Sequence, residues 1–312
     1  MGSYLVTGGA GFIGSHLVEE LVRRGQRVRI LDNFLTGKRE NIAPFIDKIE
    51  LIEGDVRDPE ACRRSLQGVD GILHQAALPS VPRSIENPVL VHDINVTGTL
   101  NLLWASRDAQ VKRFVFASSS SVYGDDARLP QKEGLEGRPL SPYALGKRFG
   151  ESYCSLFFRL YGLETIALRY FNVFGPRQDP ASQYAAAVPL FITKILSGER
   201  PLIFGDGEQS RDFTYVANVV DANLGALDAP AAAAGQAFNI ACGARTTVND
   251  LARDINGLAG VSLEPVHGEP RPGDIRHSFA DITKARTLLR YAPGWSFRDG
   301  LSETVRWYKG RS

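Results

Sequence analysis

Short runs of apolar and β-branched residues alternate with longer stretches whose apolar positions recur at helical spacing through the first half of the chain. Tyr4–Thr7, Val28–Leu31, Ile49–Glu53, Gly71–His74, Arg113–Ala117 and Thr165–Tyr170 read as strands. Phe12–Arg24, Pro59–Leu66, Ile94–Asp108 and a long stretch from Pro142 to Tyr161 read as helices between them. Such alternation predicts an α/β fold with a Rossmann-like, doubly wound parallel sheet over residues 1–172. Beyond that point the pattern changes to loops rich in Gly, Pro and Asp with shorter elements, which predicts a smaller α/β substrate domain over 173–312. Phe238–Ile240 reads as a late strand returning to the first sheet, so the second domain is discontinuous, with a return segment near 215–242. The run 229–235 is a connector of small residues without chemistry.

Composition narrows the partners. The balance of 36 Lys and Arg against 35 Asp and Glu leaves a net charge of +1 over 312 residues. No basic field attracts nucleic acid or an anionic membrane, and no apolar run is long enough to span a bilayer. Cys62, Cys154 and Cys242 are odd in number and share no Cys-x-x-Cys, which points to reduced thiols and a cytoplasmic setting. The histidines form no His-x-x-x-His pair, so no metal site is expected.

Thr7-Gly8-Gly9-Ala10-Gly11-Phe12-Ile13-Gly14 leaves the first strand and opens the first helix. In that setting a glycine pattern marks a dinucleotide site. Gly8 and Gly11 let the main chain turn beneath a diphosphate that faces the helix N-terminus, and Gly14 lets helix and sheet approach closely. Phe12 and Ile13 belong to the same turn; an ordinary tight turn is the plainer alternative. Asp32, ending the second strand, offers a carboxylate to ribose hydroxyls and repels a 2′-phosphate. Asn33, not an arginine, follows it, which favours NAD over NADP. Lys38 and Arg39 nearby are read as solvated. Asp55-Val56 after the third strand are placed to border the adenine. Gln75-Ala76-Ala77 after the fourth are placed to flank the diphosphate, with packing an equal alternative for the alanines.

Tyr143 and Lys147 stand one helical turn apart on a common face. The ammonium is expected to favour the phenolate and draw the tyrosine toward proton exchange near neutrality. Tyr-x-x-x-Lys alone is a weak signal. Here it follows a nucleotide site and a serine cluster, Ser118 to Ser121.

Taken together, several segments resemble the extended short-chain dehydrogenase/reductases. They are the glycine signature, Asp32, Gly54-Asp55-Val56, Ser118–Ser121 with Val122-Tyr123-Gly124, the Tyr143/Lys147 pair, and Arg169-Tyr170-Phe171-Asn172-Val173-Phe174-Gly175-Pro176. Within that family the chain is most similar to the UDP-hexose 4-epimerases, over essentially its full length. The resemblance implies that Tyr143 takes the proton of the sugar 4-hydroxyl while hydride leaves C4 for NAD. It makes Ser119 the catalytic serine, with a register open by one among its neighbours, and makes Ser120 a helper at the sugar. Lys147 would hold the nicotinamide ribose, Tyr170 would lie on the cofactor side, and NAD, regenerated each cycle, would stay bound. Related dehydratases place Asp-Glu beside a catalytic threonine, and related decarboxylases carry a glutamate there. Ser119-Ser120-Ser121 supplies no such acid.

The same resemblance places Asn172 at the sugar diphosphate, an Asx-type turn being its plainer role. Phe204 and Arg211 fall in a uridine-binding stretch, with the arginine fork suited to phosphate. Arg271 and Asp274 match a second phosphate arginine and a uridine-ribose carboxylate, and Val188 borders the uracil. For either arginine the plainer role is a surface residue. Ser278 stands where some epimerases restricted to UDP-glucose and UDP-galactose carry tyrosine, which leaves room for an acetamido group. The segments carrying Ser80 and Gln178 resemble epimerases of UDP-N-acetylglucosamine, and Pro79 fixes φ where those relatives can have glycine. The expected activity is C4 epimerisation of UDP-GlcNAc/UDP-GalNAc, with UDP-Glc/UDP-Gal also accepted. One alternative is a UDP-glucuronate 4-epimerase using Arg83 or Arg177 for the carboxylate. Another is a nucleotide-sensing protein that has lost catalysis. The family often dimerises through helices matching Ile94–Asp108 and Pro142–Tyr161, so a homodimer is expected. Phe149, Tyr153, Leu156, Phe157 and Leu160 would form either that contact or core.

Overall fold

The computed structural model describes residues 1–180, 186–270 and 275–310. Seven strands lie in one sheet: β1 (Ser3–Thr7), β2 (Arg27–Asp32), β3 (Ile49–Glu53), β4 (Gly71–His74), β5 (Arg113–Ser119), β6 (Glu164–Tyr170) and β7 (Gln236–Ile240). Every pairing is parallel, in the order β3-β2-β1-β4-β5-β6-β7. The winding reverses between β1 and β4, so a crevice opens beyond the C-terminal ends of those two strands. Strands β4, β5 and β6 are buried at nearly every residue. Helices cover both faces, which is why these strands read as continuous apolar runs without alternation.

The covering helices are α1 (Phe12–Arg23), α2 (Pro59–Ser65), α3 (Gly98–Asp108) and α4 (Pro142–Tyr161), followed by α5 (Ala187–Leu196), α6 (Val216–Leu227), α7 (Val248–Ala259) and α8 (Phe297–Lys309). Leu17, Leu21 and Val219 of α1 and α6 fill one face of the sheet. Cys62, Leu102, Leu103, Cys154 and Phe157 of α2, α3 and α4 fill the other. A third core gathers Phe174, Phe191, Phe213, Leu251 and Leu301 between α5, α7 and α8. Helix α4 is bounded as its sequence dictates. The Ser141 hydroxyl accepts the Ala144 amide at 3.1 Å, Pro142 fills the first turn, and Gly162 leaves the helix at φ 70°.

Two expected elements differ. The helix expected over Ile94–Asp108 begins earlier, at Pro88, and passes through a π turn, Asp93–Thr97, before α3 begins. The wider turn holds Asn95, whose amide group bonds the Leu78 nitrogen at 2.8 Å and its carbonyl at 3.3 Å. Strand β5 continues two residues past Ala117, because Ser118 and Ser119 remain in register with Arg169 and Tyr170 of β6. Among the described residues no helix is long and apolar enough to cross a membrane.

Candidate functional site

The glycine loop joins β1 to α1 at the point where the winding reverses. Gly8 sits at φ +67°, and a Cβ there would lie 2.8 Å from the Ala76 nitrogen, so the loops after β1 and β4 touch only through glycine. Gly14 is tighter still, with a Cβ position 2.1 Å from the Gly8 carbonyl oxygen. Gly11 caps α1 with no side-chain acceptor, which leaves the first-turn amides, those of Phe12 and Ile13 included, without a side-chain cap. This is the cradle that a dinucleotide diphosphate fits, acceptor oxygens against open amides and no Cβ in the way.

Asp32 closes the second side of the cradle. Its carboxylate accepts the amides of Ala10 at 2.9 Å and Phe34 at 2.8 Å. Burial raises its pKa, and those amides oppose the rise. The exposed Asn33 donates its amide to Asp55 at 2.7 Å, and Arg57 also grips that carboxylate. The Arg57 hydrogen bond leads in holding Asp55 down at about 2. Val56 is buried against Gly98, while Ala76 and Ala77 follow β4 partly exposed. Lys38 and Arg39 are exposed but paired, with Asp179 at 3.4 Å and Glu53 at 2.6 Å. The Gln75 side chain and the Tyr170 hydroxyl turn toward Asn223, which donates to that hydroxyl at 2.8 Å. Asn223 therefore supplies a third member that the sequence did not signal.

At the end of β5 two successive residues are fastened to α4, and the next faces Tyr143. The Ala117 carbonyl accepts the Lys147 ammonium at 2.7 Å. Ser118 donates to Glu151 at 2.5 Å. Within the serine cluster it is Ser119 that acts on Tyr143, and its hydroxyl also accepts the Ser121 amide at 3.2 Å; Ser120 lies in the short turn that follows. One expectation is corrected here. Burial raises the Tyr143 pKa above its ordinary value, and the group opposing the rise is Ser119, not Lys147. Lys147 is itself lowered to about 8 by burial, with Glu151 opposing; its ammonium is turned to the Ala117 carbonyl under the Phe116 ring.

Residues assigned to the sugar nucleotide fall into three groups. Asn172, Arg211 and Ser278 come together around Asp212. Asn172, at φ +36°, donates its side-chain amide to the Asp212 carbonyl at 3.2 Å. Arg211 precedes Asp212 and donates to the carbonyls of Ser210 and Arg276. The Ser278 amide donates to the Ser210 carbonyl at 3.0 Å, leaving Ser278 buried beside the same short strand. The Asp212 side chain, wholly buried, accepts amides from Cys242, Gly243 and Ala280 and so ties the three segments. Burial carries it up to about 6 against those amides. Phe204 joins this group through Gln209, which donates to its carbonyl at 2.8 Å.

The second group lies elsewhere. Val188 packs inside the third core, and the Ser80 hydroxyl caps the helix Val81–Glu86. Gln178 lies with Lys38, Trp307 and Tyr308 at a cavity of about 370 Å³, away from the serine cluster. Arg177 is engaged by Glu19 of α1. The third group, Arg271 and Asp274, lies outside the described residues. Asp212 was within reach of sequence reasoning, since it adjoins Arg211, and Glu151 sits one turn beyond Lys147.

Comparison with known proteins agrees with this geometry. The model of the NAD dependent epimerase/dehydratase family matches residues 4–241. A UDP-N-acetylglucosamine 4-epimerase from Methanobrevibacter ruminantium, solved with UDP-N-acetylmuramic acid, is 40% identical and superposes with a TM-score of 0.95 over 100% of this chain and 99% of its own. A UDP-glucose 4-epimerase from Thermotoga maritima, solved with UDP-glucose, is 40% identical with a TM-score of 0.94 over 99% of each chain. A UDP-glucuronic acid 4-epimerase from Bacillus cereus, solved with UDP-glucuronic acid and NAD, is 32% identical with a TM-score of 0.91 over 99% of this chain and 100% of its own. With a reversed parallel sheet, an open glycine cradle and a Ser-Tyr-Lys set at its rim, the chain belongs to the NAD-dependent epimerase/dehydratase family of extended short-chain dehydrogenase/reductases, and NAD is its cofactor.

Proposed function

We propose that the protein interconverts C4 epimers of a UDP-hexose, with UDP-GlcNAc and UDP-GalNAc as its main pair and UDP-Glc and UDP-Gal also accepted. The observation that carries the reading is the placement of Tyr143, on which Ser119 acts, one helical turn from Lys147, whose ammonium donates to the Ala117 carbonyl at the C-terminal end of β5. In this reading Ser119 and Tyr143 grip the sugar 4-oxygen together, and Tyr143 removes and later returns its proton. NAD supplies the acceptor and donor of hydride. In the same reading Lys147 would hold the nicotinamide ribose and fix orientation, which is most of what paired proton and hydride transfer requires. The group around Asp212 holds the nucleotide so that the 4-keto sugar turns without leaving.

The buried serine at 278 supports acceptance of the acetamido group, because it places a small side chain beside the strand carrying Arg211. A small pocket admits more than it rejects, hence the dual specificity. The uronate reading is weakened at Arg177, whose guanidinium is engaged by Glu19. A homodimer is supported by the solvent face of α4, where Leu145, Phe149, Leu156 and Leu160 are exposed beside Trp104 of α3. Phe157, expected on the same stripe, is buried as core. The deciding experiment is proton NMR of the purified protein, without added NAD, given UDP-GlcNAc and UDP-glucose separately. Conversion of the acetylated sugar to its 4-epimer supports the full reading, and turnover of UDP-glucose alone defeats the role given to Ser278.

A further inference from the structure

Behind the catalytic residues lies a buried ionic cluster that the reaction does not use directly. Glu151 of α4 accepts the Ser118 hydroxyl at 2.5 Å and a fork from Arg169 of β6 at 2.8 and 2.7 Å. The remaining Arg169 nitrogen reaches Glu136 at 2.5 Å and the Tyr123 hydroxyl at 3.0 Å. The Arg169 and Glu151 side chains are only 5% and 12% exposed. Well-packed apolar residues often replace such a cluster at no loss of stability, so stability alone is a weak reason for it.

Its geometry gives a better one. Tyr143, Lys147 and Glu151 occupy one face of α4 at intervals of four residues; Lys147 is bonded to Ala117 and Glu151 to Ser118 at the β5 end, where Ser119 acts on Tyr143. Glu151 holds the residue next to Ser119. It is also the carboxylate that acts on Lys147. Among the described residues, the other groups around that ammonium bring no negative charge. Phe116 of β5 presents a ring, and Tyr143 of α4 a phenol. His74 of β4 is clamped between Thr7 and Thr99, and its burial, with Lys147 second, holds it neutral at about 3. Arg169 pairs with the same carboxylate and would lose that partner if it were removed. On the epimerase reading, on which this role rests, we propose that Glu151 is a positioning residue of the catalytic set, fixing the strand end that carries Ser119 and keeping the Lys147 ammonium charged beside Tyr143.

The test is a titration of lysine 13Cε resonances in the purified, NAD-loaded protein, with the Lys147 signal assigned by its loss in Lys147→Arg. In Glu151→Gln the Lys147 midpoint is expected to fall by about one pH unit, a tenfold change in its proton affinity. In Ser118→Ala it stays in place while kcat drops and KM holds, since only the fastening is lost. An unmoved midpoint in a cooperatively folded Glu151→Gln overturns the proposal. If that variant does not fold, Glu151→Asp is read instead. It retains the charge but withdraws from Ser118, so a lower kcat with an intact midpoint supports the role and an unchanged kcat overturns it. Absence of turnover by the wild type defeats the epimerase reading, whereas the titration needs no substrate and still decides the electrostatic role of Glu151.

Discussion

Gly14 and the carbonyl oxygen of Gly8 are packed so closely that a Cβ on Gly14 would sit 2.1 Å from that oxygen. The contact is main chain on both sides, so no side chain can swing away to relieve it. Gly14→Ala is expected to push α1 off the loop, destabilise the fold by about 1–3 kcal/mol and yield protein that purifies without NAD. Cofactor released by acid and quantified by chromatography, together with a urea melt, checks both effects.

Tyr143→Phe removes the phenolic hydroxyl on which Ser119 acts and leaves the cradle untouched. The expected result is a loss of kcat by roughly 10²–10⁴ with NAD content unchanged. A fall in NAD content matching the loss of rate would instead make Tyr143 a cofactor-holding residue.

Lys147 sets a pH dependence whose sign follows from its burial. Its pKa is lowered from 10.5 to about 8 in the folded chain. Between those values the unfolded chain binds more protons than the folded one, so stability rises with pH across that window. Below about 8 both states are protonated and the cost of the buried charge is constant. Relative to Lys147→Met, the wild type is expected to gain on the order of 3 kcal/mol as pH rises from 8 to 10.5. Urea unfolding of both proteins at the two ends of the window measures the difference, and a gap that stays constant refutes it.

Asp212→Asn tests the hub beneath Arg211. An amide there offers one oxygen to three main-chain donors and turns its own NH2 toward them. A cost of about 1–3 kcal/mol is expected for the unpaired groups, and KM for the UDP-sugar is expected to rise more than kcat falls. Equal changes in the two constants would place Asp212 outside substrate binding.

The contrast between Gly14 and Asp212 shows what the sequence could reveal. Helix-sheet alternation, the glycine cradle and the Tyr143–Lys147 pair all rest on local spacing, and local spacing survives into the fold. Ser119 is named through the resemblance with a register open by one, because four like residues differ in nothing but where the strand ends. Glu151 resembles any solvated helix acid until β6 brings Arg169 against it. Asp212 resembles a loop acid until residues 242–243 and 280 return to it from far along the chain. The mistaken sign at Tyr143 has the same origin. The spacing places the ammonium nearby, but the direction in which it points is set by the Ala117 carbonyl of another element.

Strand β7 has a consequence for biosynthesis. It completes the parallel sheet from residues 236–240, after the chain has made much of its second lobe. While a nascent chain is still short of that segment, β6 presents an unpaired edge to whatever else is in the cell, including other nascent copies. The half of the chain that is translated first therefore cannot close its sheet until residue 240 has been made, and any premature stop between β6 and β7 releases a polypeptide with an adhesive edge.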